Sequence, residues 1–170
     1  FTSAYAPHPV CGPSRCAILS GKSPLRTGNF KVVGNLKARE TTIAESFKGN
    51  GYKTYFAGKW HCGAKPELQG FDVSIGDNGQ GQPGSYHFPY KDTGMDWPGT
   101  KRPVMKQRDV LGLEDGEDGD YLTDVLTDKT VEFIKQNKEK PFFVYLSHYA
   151  VHTPLESKKE YEDYFSKKLK

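Results

Sequence analysis

The sequence predicts an α/β fold with a largely parallel central sheet flanked by helices. Three observations carry the prediction. Candidate elements alternate as helix, strand, long loop, helix, strand, the order that layers helices on a parallel sheet. The run FFVYL at 142–146 is short, aromatic and apolar, as suits a strand buried on both faces. Two histidine-bearing segments, GKWH at 58–61 and HYAVH at 148–152, directly follow the two candidate strands. Parallel sheets gather their ligands at such carboxyl ends.

Each element has a local cause. Pro13 suits the first turn of a helix, where its missing N–H would have no partner anyway. Cys16, Ala17, Ile18 and Leu19 continue that helix and Gly21 can stop it, with Cys11 just ahead of its start. Residues 22–39 read as loop. Thr42 and Glu45 fit a capping box, with Ile43 and Phe47 on one face behind it and Gly49 or Gly51 at the end. Residues 52–57 read as a strand. Residues 63–119 hold most of the 18 glycines and no periodicity, which predicts a long surface excursion of the kind that shapes binding sites. Residues 120–137 form the strongest helix, with Leu122, Val125, Leu126, Phe133 and Ile134 as its apolar stripe. The acidic run 114–120 sits at its positive end. Lys-rich 158–170 reads as a solvated helix face.

Composition sets outer bounds. A chain of 170 residues is one domain or part of a larger one, and its first residue is Phe, so an upstream segment is expected. With 35% hydrophobic and 26% charged residues it fits a globular protein, not a disordered one. No stretch approaches the roughly 18 apolar residues of a membrane span. The net charge of +3 is mild, and no basic stripe interleaves with aromatics, which argues against nucleic acid. Three cysteines are too few for a disulfide framework, and the count is odd. One of them is expected to serve chemistry.

Cys11 is the candidate. It adjoins a helix N-terminus, where backbone N–H groups and the dipole favour negative charge and can activate a thiol or bind an anion. Arg15 lies four residues on and shares a face with Cys11 if the helix starts early enough. Lys59 and His61 are two apart, so an extended segment points them the same way. His152 closes the second strand-end loop. A reactive side chain, two fixed cations and two histidines suit cleavage of an anionic ester: the cations neutralise charge and the histidines move protons.

These segments resemble a known family. Cys11-Gly12-Pro13-Ser14-Arg15, with Leu19 and Gly21, resembles the first signature of the type I sulfatases. GYKTYFAGKWHCG at 51–63 resembles the second, and PFFVYLSHYAVHTPL at 141–155 the later strand and histidine loop. The resemblance implies an alkaline-phosphatase-like sandwich, of which this chain is the N-terminal portion of one catalytic domain. It implies a sulfuric ester hydrolase in which a maturation enzyme oxidises Cys11 to formylglycine while the segment is unfolded. The hydrated aldehyde attacks sulfur with one hydroxyl. Its second hydroxyl then loses a proton, and sulfate is eliminated; a plain serine lacks that exit. By the same resemblance Arg15 holds the diol and balances charge. Lys59 contacts a sulfate oxygen and the diol. His61 orients the diol and takes the elimination proton. His152 binds sulfate and assists the leaving oxygen. The cofactor implied is one divalent cation, calcium or else magnesium, with Cys11 as formylglycine among its ligands. The remaining ligands, an aspartate pair and an Asp-Asn pair, are expected upstream of Phe1 and downstream of Lys170. The chain alone is therefore expected neither to hold the metal properly nor to turn over. The substrate expected is a sulfated glycan or small sulfate ester, and the location periplasmic or secreted.

Rival readings stand beside these. The same formylglycine serves phosphate or phosphonate esters in related enzymes, and a binding module could keep the fold with Cys11 unconverted. His8, Cys11, Cys16, His61 and Cys62 suggest zinc, but no Cys-x-x-Cys pair exists. Cys16 reads as a small core residue; Cys62 is unassigned. His148 and His152 have helical metal spacing, but the strand before and Pro154 after oppose a helix, so His148 reads as structural. Asp77-Asn78-Gly79 mimics a metal-ligand motif, yet it sits in a Gly-rich loop rather than after a buried strand and reads as a turn. The run 114–120 lacks the register of a calcium loop and reads as helix entry. Trp60 is placed under the site. Trp97, Tyr86, His87 and Tyr90 either line a sugar surface or pack the loop.

Overall fold

A computed structural model describes residues 2–96 and 99–168. Three parallel strands form its sheet, in the order β2-β1-β3, with β1 Lys53–Gly58 in the centre, β2 Val73–Ile75 on one side and β3 Phe142–Ser147 on the other. Tyr55 lies beside Val73 and Val144, and Ala57 beside Ile75 and Leu146. These side chains share one face, because strand side chains alternate. Helix α4, Leu122–Asn137, covers that face with Leu122, Leu126 and Phe133. Phe56 points the other way, beside Tyr145, and packs with Trp60 and Phe71. Helices α1, Cys11–Ser20, and α3, Ile43–Gly49, cover this second face with Cys16, Leu19 and Ala44. The sheet thus lies between two helical layers, and all three strands end toward the same rim.

The local signals act where the sequence places them. Thr42 Oγ1 accepts from the Glu45 N–H at 3.0 Å, and Glu45 Oε2 accepts from the Thr42 N–H at 2.7 Å, so both halves of the capping box form. Ala44, not Ile43, is the buried residue of α3; Ile43 is exposed, while Phe47 stacks on Phe143. Residues 22–39 contain a short helix, α2 Pro24–Thr27, which the loop reading misses. Pro24 opens it, and Gly28 closes it in the left-handed conformation. Helix α5, Lys159–Lys168, buries none of its residues, in line with a solvated face.

The stretch 63–119 departs most from expectation. It supplies β2 and a share of the core: Tyr86, Tyr90, Val110 and Leu113 are all buried on the α4 side. Tyr86 and Tyr90 therefore pack the excursion rather than line a sugar surface, and Trp97 lies outside the described residues. Arg102 holds the fold of this stretch. Its guanidinium grips both oxygens of Asp92, at 2.7 and 2.6 Å, and reaches Asp96 at 3.0 Å. Asp96 also pairs with Arg108 at 2.8 Å, and its carbonyl accepts from the Leu155 N–H at 2.7 Å. Glu156 accepts from Ser85 Oγ at 2.8 Å and from the Tyr86 N–H at 2.6 Å. The excursion is thereby tied down over the loop that follows β3.

Candidate active site

Helix α1 starts at Cys11 itself, one position earlier than a start after it, with Val10 as the extended N-cap. This puts Cys11 and Arg15 one turn apart on a common face. From Arg15 the guanidinium donates to the Lys59 carbonyl at 2.8 Å and to Ser147 Oγ. Ser147 Oγ in turn donates to the Lys59 carbonyl at 2.9 Å, and the Lys59 N–H donates to the Ser147 carbonyl at 2.7 Å. One arginine therefore stitches helix α1 to the ends of β1 and β3. Gly58 makes the stitch possible. It has φ +97°, and a Cβ there would drive into the Ser147 carbonyl.

His61 occupies a strained position. Its φ is +57°, a region that costs a residue with a Cβ about 1–2 kcal/mol. Bonds on either side hold it there: the Gly34 N–H donates to the His61 carbonyl at 3.2 Å, and the Leu36 N–H to the Cys62 carbonyl at 3.1 Å. The strained turn aims the imidazole at α1, where Nδ1 lies 3.2 Å from Cys11 Sγ. Lys59 and His61 are each only 4% exposed. Burial, then the charges of Lys59, Arg15 and His152, holds the His61 imidazole down to about 4. Burial and the neighbouring Arg15 also lower the Lys59 ammonium, while Cys11 raises it. Desolvation and the charges of Lys59 and Arg108 lower His152. Direct contacts join Cys11 to His61 and Arg15 to the Lys59 carbonyl, and the charge of His152 is among those that act on His61. At neutral pH both imidazoles are uncharged beside two cations, an arrangement that calls for an anion.

A third wall comes from the excursion, which the sequence does not reveal. Gly81 lies against the His61 ring: a Cβ there would sit 2.7 Å from Cε1. Gln82, next in line, meets Thr153 Oγ1 at 3.2 Å, and Thr153 Oγ1 meets His152 Nδ1 at 3.2 Å. Tyr86 Oη donates to the His152 carbonyl at 3.0 Å. Gly81→Ala is accordingly expected to push the His61 ring aside and lower kcat about tenfold to a hundredfold in full-length protein. Thermal stability should change little. Steady-state kinetics beside a melting curve check this.

Other candidates settle elsewhere. Cys16 and Cys62 are fully buried as free thiols that touch each other in the α1 layer. Trp60 is buried there too, its Nε1 donating to the Ala64 carbonyl. His8 bonds within its own loop, accepting from the Val10 N–H at 3.1 Å. His148 faces α4, 3.5 Å from Thr127 Oγ1. Asp77-Asn78-Gly79 forms the expected turn, with the Gly79 N–H donating to Asp77 Oδ1 at 2.8 Å. It does follow a strand, however, since β2 ends at Ile75. Tyr149 Oη ties this turn to the β3 loop, donating to the Gly76 carbonyl at 3.0 Å. Among the described residues no three His, Cys, Asp or Glu side chains converge where a metal ion could be held. No cation site is therefore complete among the described residues.

A protein-family model described as Sulfatase matches residues 1–169. The chain belongs to the sulfatase family. This sulfatase chain is 30% identical to N-acetylgalactosamine-6-sulfatase of Sus scrofa over 183 aligned residues, covering 91% of the chain and 33% of that protein. It is 33% identical to an arylsulfatase of Hemicentrotus pulcherrimus, over 95% of the chain and 32% of the relative. The chain thus spans about a third of the length of these curated relatives. Among solved structures, Ps i-CgsB in complex with k-i-k-neocarrahexaose superposes with a TM-score of 0.73 at 31% identity, covering 96% of this chain and 39% of that one. BT4656 in complex with D-glucosamine-2-N,6-O-disulfate gives 0.56 at 28% identity, over 87% and 26%. The sulfatase fold of these neighbours agrees with the expected α/β class and parallel sheet.

Proposed function

We propose that this chain carries the nucleophile side of a sulfuric ester hydrolase that acts on a sulfated glycan. The observation that carries the reading is the approach of His61 Nδ1 to Cys11 Sγ at 3.2 Å, beside the buried Lys59 and the stitched Arg15. Cys11 is the unmodified thiol; its Sγ marks the place of the reactive oxygen after oxidation to formylglycine by a maturation enzyme. The hydrated aldehyde supplies an oxygen nucleophile and a second hydroxyl that lets sulfate leave. The chain's own residues do the rest. Arg15 is fixed by two acceptors, so its charge stays beside position 11 without reorganisation. Lys59, desolvated, attracts a sulfate oxygen more strongly than a solvated ammonium could. A bound anion offsets the cations that depress His61, so its basicity rises when substrate arrives and it can accept the elimination proton. His152 hydrogen-bonds the sulfate and the leaving oxygen.

We further propose one divalent cation, calcium, completed by groups other than those described, and no step here depends on it. Among the described residues no helix is long and apolar enough to cross a membrane. The family supports a periplasmic or secreted location. The glycan substrate rests on the sugar ligands named for the two solved neighbours. The decisive assay compares a sulfate and a phosphate ester of one alcohol, using full-length protein. A kcat/KM at least tenfold higher for the sulfate is expected. A strong preference for the phosphate would transfer the site to phosphate or phosphonate chemistry.

A further inference from the structure

Two cysteines lie outside the proposed chemistry, yet each adjoins it. Cys16 is on α1, five residues beyond Cys11, and Cys62 directly follows His61. Five helical steps turn Cys16 away from Cys11, so one thiol meets His61 at the rim while the other enters the core. There Cys16 and Cys62 are fully buried, and the Cys62 thiol donates to the sulfur of Cys16. Gly34 packs into the same corner. A Cβ on it would lie 2.7 Å from Cys16 Sγ and 2.7 Å from the His61 carbonyl oxygen. The Leu36 N–H holds the Cys62 carbonyl at 3.1 Å. Both thiols belong to one apolar cluster with Leu19, Leu36, Phe56 and Trp60. Close packing of that cluster keeps the two sulfurs together.

We propose that Cys16 and Cys62 form a disulfide in the mature protein, a covalent tie between the helix that carries the nucleophile and the turn that carries His61. The inference rests on the reading of the chain as periplasmic or secreted, where disulfides persist. The oxidant is a thiol–disulfide exchange catalyst of that compartment, acting while the α1 layer is still open. The thiolate of one cysteine attacks a sulfur of the catalyst's disulfide, and the catalyst's other sulfur departs as a thiolate. The thiolate of the second cysteine then attacks its partner's sulfur and expels the catalyst. Two electrons and the two thiol protons end on the catalyst, which leaves as a dithiol. Cys11 meets an imidazole rather than a thiol, so the tie leaves position 11 unpaired. The closed loop, from 16 to 62, restricts the unfolded chain and so favours the folded one.

The test uses full-length protein collected from the periplasm or medium of an exporting host. The protein is unfolded without reductant in N-ethylmaleimide, which caps every free thiol, and digested with trypsin. Cleavage after Arg15 separates Cys11 from Cys16. Peptides 16–22 and 60–91 should then appear joined, two hydrogens lighter than their sum, and should part on reduction. Cys16 and Cys62 both capped by maleimide, or either one joined to Cys11, would overturn the proposal. A melting curve gives a second reading. Reductant should lower the midpoint of wild type by several degrees, and that of Cys16→Ala/Cys62→Ala by clearly less. An equal fall in both would overturn the tie between helix and turn. The peptide map does not depend on turnover. Joined peptides in a protein that cleaves no sulfate ester would remove the sulfatase reading alone, and capped thiols in an active enzyme would remove this inference alone.

Discussion

Cys11→Ala should reduce turnover of a sulfate ester by on the order of 10⁴-fold or more in full-length protein. No atom would remain at position 11 to attack sulfur. Arg15 would still be held by the Lys59 carbonyl and Ser147, so the anion pocket should survive and KM should stay within several-fold. Cys11→Ser makes a sharper contrast. Its single hydroxyl can take the sulfuryl group, but it has no second hydroxyl to expel it, so one sulfated serine per chain is expected at most. Intact-mass analysis of the peptide containing residue 11 reads both points. On the proposed function, conversion in wild type would replace the sulfur and two hydrogens by one oxygen, a loss of mass. A full-length Cys11→Ala enzyme that keeps activity within tenfold would remove Cys11 from the mechanism.

Arg102→Met should be the most destabilising change outside the site, by about 3–5 kcal/mol. The side chain of Asp92 is fully buried, and it faces Arg102 with both oxygens. Removing the guanidinium leaves a desolvated carboxylate with the backbone N–H groups of Met105, at 2.5 Å, and of Gly94 as its remaining donors. The pH dependence follows from the direction of the shifts. Hydrogen bonds from Arg102 hold the Asp92 carboxyl below its ordinary value, and Asp96 is lowered too. A depressed carboxyl stabilises fully above its unfolded value of about 3.9 and progressively less as pH falls through the lower folded one. The gap between wild type and Arg102→Met should therefore be widest near neutrality and close below about pH 4. Denaturant titration at pH 7 and pH 3 measures both ends. An equal gap at the two pH values would show that the ion pair is not its source.

Much of the architecture could be read from the sequence because its causes are local. The stripe Leu122, Leu126 and Phe133 meets the sheet as its spacing requires. Thr42 and Glu45 lie three apart and close their box. The five candidate side chains were legible because three short motifs carry them, each at an element end. What escaped depends on distant neighbours. Strand β2 is three residues long, too short for periodicity, and exists because β1 pairs with it. Gly81 looks like any loop glycine until the His61 ring lies on it. Tyr86 and Tyr90 are aromatic in a glycine-rich stretch, and composition alone does not distinguish an exposed platform from a core. The Asp77 turn was legible, but its place after a strand was not, for the same reason that β2 was missed.

The backbone bonds from Gly34 and Leu36 to the carbonyls of His61 and Cys62 also bear on timing. Position 11 meets its histidine across a separation of 50 residues. A ribosome adding about 5–20 residues per second needs several seconds to deliver that span. Until then the nascent Cys-x-Pro-x-Arg segment lacks its histidine, and on the proposed reading it would stay open to a maturation enzyme. Once the 34–36 clasp shuts, the thiol is half-buried, and on that reading the opportunity would close. On the same reading, faster synthesis, or a mutation that hastens docking of the clasp, should leave a larger fraction of chains unmatured.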